Sequence, residues 1–116
     1  MVSLQNLGDK EECMGHSRLD MIKELLRQEP HDPTLYVMLA YEYFEGERYP
    51  ETIDTIQAYL QMTSDEGAIY KILGQSLEQL EKAEEARRAY EQGVASAMRH
   101  GHKSLAAEFQ DLLKKF

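Results

Sequence analysis

The chain has 116 residues, with 13 lysines and arginines against 21 aspartates and glutamates, for a formal net charge of −8. That length suits one domain, able to bury a core without disulfides or a structural metal. The acidic surplus, broken by no basic block, repels phosphate backbones and anionic lipid head groups, so neither nucleic acid nor a membrane surface is an expected partner. A single cysteine, Cys13, allows no internal disulfide and points to a reducing compartment or to indifference about redox state, with the cytoplasm as the expected setting.

Residues 1–16 carry Gly8, Asp9 and Gly15 without sustained periodicity and read as a flexible leader or a poorly formed helix, with the leader as the expectation. No charged start leads into an apolar run, as a signal peptide would require, and no apolar stretch is long enough to span a bilayer. From Ser17 the pattern turns helical. Ser17 and Asp20 make a capping signal, and Leu19, Ile22, Leu25 and Leu26 recur at helical spacing until Pro30. Asp32 and Pro33 then start a second helix, because Asp accepts free first-turn N–H groups and Pro tolerates lacking one. Its apolar residues Leu35, Tyr36, Leu39, Ala40 and Tyr43 run to Glu45-Gly46, where the glycine is expected to adopt the left-handed geometry of a helix end.

A third helix is predicted from about Pro50 to Met62, with Ile53, Ile56 and Leu60 on its stripe. Thr63 and Glu66 have capping-box spacing and predict a fourth helix from about Ser64 to Leu80. The fifth is expected from Ala83 to His100. A last helix carries Leu105, Phe109, Leu112 and Phe116 on one side. No segment alternates with period two for the length of a strand, so the expected class is all-α.

Laid on itself, the chain matches at a shift of 34: Tyr36 with Tyr70, Leu39 with Leu73, Ala40 with Gly74, Thr52 with Ala86, and Ile56 with Tyr90. Small residues at Ala40, Gly74, Thr52 and Ala86 would let paired helices approach closely, while the bulky ones fill the gaps. These residues resemble the tetratricopeptide repeat family, whose unit is two antiparallel helices with this alternation of bulky and small positions. The resemblance implies a right-handed superhelix of antiparallel helix hairpins. Residues 17–31 would form a half repeat, 33–66 and 67–100 two full repeats, and 102–116 a capping helix. Gly93 and Tyr59 depart from the alanine usual in the family.

In that family the first helix of each hairpin lines a concave groove for a peptide or helix of another protein. The matching positions are Thr34, Val37, Tyr41, Phe44 and Glu45 in the first copy and Ala68, Lys71, Gln75, Glu78 and Gln79 in the second. Tyr41 and Phe44 are the expected anchors, with packing against the N-terminal helix as the alternative. Chaperone-tail-binding members clamp a terminal carboxylate with Lys and Asn, but Val37 and Tyr41 stand at the corresponding first-copy positions and Lys71 remains alone. Glu45 and Glu78 favour an apolar ligand with some basic character.

Cys13 and His16 have the spacing of two zinc ligands but lack a second pair, and His100 and His102 suit a helix end. There is no glycine-rich phosphate loop and no nucleophile elbow. The expectation is therefore a non-enzymatic adaptor or scaffold without metal or cofactor. The competing expectation is a homodimer formed through the apolar side of the N-terminal half-repeat helix.

Overall fold

In a computed structural model, which describes the backbone from residue 9 and side chains from Arg18, six helices follow one another. They are α1 (Asp9–Gln28), α2 (Pro33–Glu45), α3 (Tyr49–Met62), α4 (Ile69–Gln79), α5 (Ala83–Arg99) and α6 (Lys103–Leu113). The described residues contain no strand. Half of the expected leader, residues 1–8, lies outside the described residues; the other half belongs to α1. The helix thus runs through Ser17 instead of starting there. Each residue added to an existing helix gains one backbone hydrogen bond, and an interior glycine such as Gly15 costs only about 1 kcal/mol against alanine.

At the start of α2, Asp32 Oδ1 accepts the N–H of Thr34 at 3.0 Å, and Pro33 occupies the first turn. The fourth helix begins five residues later than its capping box predicts. Asp65, not Thr63, takes the free donors: its Oδ2 accepts the N–H groups of Gly67 at 2.8 Å and Ile69 at 3.1 Å, while its Oδ1 accepts the Tyr59 hydroxyl at 2.6 Å. Gly67, at φ +128°, cannot continue a helix, and its Cα face backs onto the Ala97 nitrogen.

Helix ends repeat one device three times. After α2, Glu47 donates to the Phe44 carbonyl and Arg48 to that of Tyr43; after α4, Glu81 donates to Glu78 and Lys82 to Leu77; after α5, Gly101 donates to Met98 and His102 to Ala97. This is the Schellman arrangement, which needs one left-handed residue. Glycine supplies it only at Gly101; Glu47 and Glu81 adopt φ of 60° and 61°. Gly46, expected to be left-handed, sits at φ −84° one position earlier.

Each helix packs on its neighbours in the chain, α2 also touches α4, and the molecule measures 51 × 31 × 21 Å. The main core draws on Ala40, Ile53, Ile56, Ile69, Ile72, Leu73 and Ala86, and a smaller cluster joins Ile22 of α1 to Leu39 and Tyr43 of α2. The small positions Ala40, Thr52, Gly74 and Ala86 are all buried, and two glycines lie at close approaches. A Cβ on Gly74 would stand 2.6 Å from Tyr90 Cζ, and one on Gly93 would stand 2.6 Å from Phe109 Cζ. At Gly93 an α6 ring thus occupies the space that a Cβ would need. α6 also contributes a small buried residue, Ala106, which its apolar stripe alone does not reveal.

Candidate functional site

Thr34, Met38, Tyr41 and Glu45 succeed one another at four, three and four residues, so α2 presents them along one face. Its opposite side is committed: Leu39 and Tyr43 pack toward α1, and Ala40 enters the main core. A short connection returns the chain from α1 to α2 as an antiparallel neighbour, fastened by the Tyr36 hydroxyl donating to the Pro30 carbonyl at 3.0 Å. Between the two helices lies an open depression of about 270 Å³ lined by Arg18, Ile22, Val37, Met38, Tyr41, Glu42 and Glu45.

Three of the expected groove residues, Val37, Tyr41 and Glu45, meet there. Tyr41 is 39% exposed and Met38 44% exposed, large apolar surfaces for side chains beside a depression. Arg18 Nη1 lies 3.6 Å from Glu42 Oε1, so the one cation among the lining residues is neutralised locally. Among the described residues Glu45 has no ion-pair partner, and the lining carries one net negative charge.

The other expected residues are used differently. Phe44 is half-buried against the main core and meets Tyr49 edge-on, with ring centroids 6.0 Å apart. It lies seven residues from Val37, and both contact that core, so Phe44 is a packing residue and not a free anchor. Thr34 is exposed and its backbone N–H is taken by Asp32. Lys71 pairs with Glu108 of α6. Glu78 accepts the Tyr90 hydroxyl at 2.8 Å with one oxygen and faces Lys115 Nζ at 2.7 Å with the other. Gln75 is half-buried, and Ala68 and Gln79 are exposed. The second-copy charges thus fasten α4 to the C-terminal segment. Burial and the Glu78 acceptor both push the Tyr90 phenol above its ordinary range.

Arg18, Ile22, Met38 and Glu42 are the lining residues that groove matching to first helices alone does not find. Met38 falls on the Thr34/Tyr41/Glu45 spacing; Met21 and Met98 are exposed as well, at 62% and 57%. The apolar side of α1 divides in two. Ile22 is buried with Leu19 and Leu26 packed beside it, whereas Met21 and Leu25 remain exposed. Arg18, Met21 and Leu25, at spacings of three and four, carry that exposed surface from the depression along α1.

The remaining polar candidates fill ordinary roles. His100 Nδ1 donates to the Ser96 carbonyl at 2.9 Å, and His102 Nε2 faces Glu66 at 3.0 Å. The Cys13 and His16 side chains lie outside the described residues, among which no group of three or more His, Cys, Asp or Glu is placed to hold a metal ion. No described helix is long and apolar enough to cross a membrane.

No protein-family model matches the sequence, and no curated protein does. The fold is similar to that of a Bordetella parapertussis protein known from its solution structure, with 25% identity, 84% of each chain covered and a TM-score of 0.74. The likeness spans most of both chains and concerns their folded architecture.

Proposed function

We propose that the chain is a small non-enzymatic protein-interaction module, a right-handed stack of tetratricopeptide-like hairpins that receives a segment of another protein on the concave side of its first helices. The observation that carries this reading is the open depression between α1 and α2, whose lining includes Val37, Met38 and Tyr41. Further support comes from the neighbour-by-neighbour packing and from identical left-handed joints at Glu47 and Glu81, 34 residues apart like the matched core positions. A slender stack with one long axis is what such repeats build.

The test is proximity capture. A photo-crosslinking phenylalanine analogue in place of Tyr41 should yield a discrete protein adduct in cells, and the same analogue in place of exposed Gln92 on α5 should not. Adducts lost on Met38→Ala support the reading; equal adducts from both positions, or none from position 41, count against it. Phe44→Ala is unsuitable here because it opens the core. Exposed Met21 and Leu25 favour a second reading, self-association through α1, which predicts a mass near twice 13.4 kDa by light scattering at tens of micromolar.

A further inference from the structure

Of the two ends of the α2–α4–α6 face, only one retains uncommitted chemistry. At the α4–α6 end the charges answer one another, Lys71 with Glu108 and Lys115 with Glu78, leaving an incoming segment little to neutralise. At the α1–α2 end the lining is apolar with an acidic excess: Arg18 is already paired to Glu42, and Glu45 stands at the rim. Resting on the interaction-module reading above, we infer that the α1–α2 depression docks an amphipathic helix of a different protein, one whose apolar stripe is bordered by lysine or arginine.

Shape specifies the helical form. Met38 and Tyr41, one turn apart on α2, stand beside the depression, and the Arg18–Met21–Leu25 row runs along α1 on its other side. Two neighbouring antiparallel helices present a groove that accepts the ridge of a third, whose anchors recur at three- and four-residue spacing. The site is thus built from both helices, and α1 serves as one wall of it. Methionine suits such a wall, because its unbranched side chain moulds to the incoming surface.

Charge specifies the partner. A second copy of this chain brings another −8 toward the same acidic rim, and like charges juxtaposed at an interface oppose association. A basic helix gains on both counts: its long-range approach is steered by the net charge, and a lysine or arginine can pair with Glu45 at the rim.

Fluorescence polarisation with two synthetic 14-residue helical peptides tests this, one built from leucine and lysine and the other from leucine and glutamate on the same apolar stripe. The lysine peptide should bind the full chain at micromolar concentration, with the glutamate peptide at least about ten-fold weaker. Met38→Ala with Tyr41→Ala, checked for native helicity, should weaken the lysine peptide by about ten-fold. Glu45→Lys should weaken it by about five-fold, against less than about two-fold for Asp54→Lys, which makes the same charge change at an exposed position of α3.

Equal losses for Glu45→Lys and Asp54→Lys would reduce the binding to general electrostatics and overturn the site. A glutamate peptide that binds as well as the lysine peptide, yet is lost on Tyr41→Ala, would overturn the basic partner while leaving the interaction-module reading intact. Failure of both peptides, together with a concentration-dependent dimer broken by Met21→Glu, would assign the depression to a second copy and overturn the inference. Failure of both peptides without a dimer, alongside specific crosslinking at position 41, would refute the basic amphipathic helix alone; absence of that crosslinking as well would remove the interaction-module reading with it.

Discussion

Replacing Gly74 with alanine sets two known effects against each other at one atom. Alanine in a helix interior is favoured over glycine by about 1 kcal/mol, so an exposed position would be stabilised. At Gly74 the new Cβ would stand 2.6 Å from Cζ and 2.7 Å from Cδ1 of Tyr90 and closer still to Cε1, so the ring must retreat by roughly 1 Å to restore ordinary contact near 3.4 Å. It has nowhere to go. Tyr90 is fully buried, its hydroxyl is held by Glu78 at 2.8 Å, and Phe109 and Phe116 each stand 6.0 Å from its centroid. Overpacking of a dense core costs about 1–3 kcal/mol, and so rigid a ring puts the cost at the upper end. The net loss is about 1–2 kcal/mol, a drop of roughly 5–10 °C in Tm by circular dichroism for a domain of this size. Gly46→Ala is the control: its nearest neighbours to a Cβ are carbonyl oxygens at 3.6 Å and its φ is −84°, so Tm should hold or rise slightly. The double variant Gly74→Ala/Tyr90→Leu should lose less than the sum of its parts, with a coupling of about 1 kcal/mol. A Tm for Gly74→Ala at or above that of the parent chain would refute the close-approach argument.

Three further outcomes follow from other positions. Glu47→Gly and Glu81→Gly, each relieving a left-handed glutamate, should raise the urea midpoint by the equivalent of about 0.5–1 kcal/mol, and a lower midpoint would show that the joint is not strained. Ser76 Oγ is buried without a hydrogen-bond partner among the described residues, so Ser76→Ala should stabilise by about 1 kcal/mol in the same assay, where a loss would reveal a bond it makes. Burial and carboxylate acceptors raise the phenols of Tyr59 and Tyr90, so the folded chain keeps those protons to higher pH than the unfolded chain, whose tyrosines ionise near about 10. Stability should hold below about pH 10 and fall above it, with these two tyrosines ionising last in a 295 nm titration; all seven ionising together ahead of unfolding would contradict this.

Helix existence was legible in the sequence because apolar spacing recurs at each element and Pro30, Pro33 and Pro50 punctuate the first three, and the small residues of the 34-residue matches are all buried. The failures have separate physical causes. Thr63 and Glu66 have capping-box spacing, but Gly67 at φ +128° breaks the helix there and Asp65 captures two backbone donors beyond it. Gly46 attracts a left-handed assignment by residue type, whereas the joint geometry assigns that conformation to Glu47 next to it. In the candidate site, Val37, Tyr41 and Glu45 are recoverable from repeat register. Phe44 is not, since only packing tells which of two adjacent α2 faces meets the core. Arg18 and Ile22 enter through the docking of α1, a long-range relation that local periodicity does not carry.

The joints have a bearing on how long such a chain can be. Residues 48–81 start immediately after one left-handed glutamate and finish on the next, with matching hydrogen bonds at the two junctions. A duplicate of that interval spliced after Glu81 would keep a left-handed glutamate at each joint, its one new connector joining the Glu78–Glu81 end of α4 to a copy of the Arg48–Glu51 start of α3.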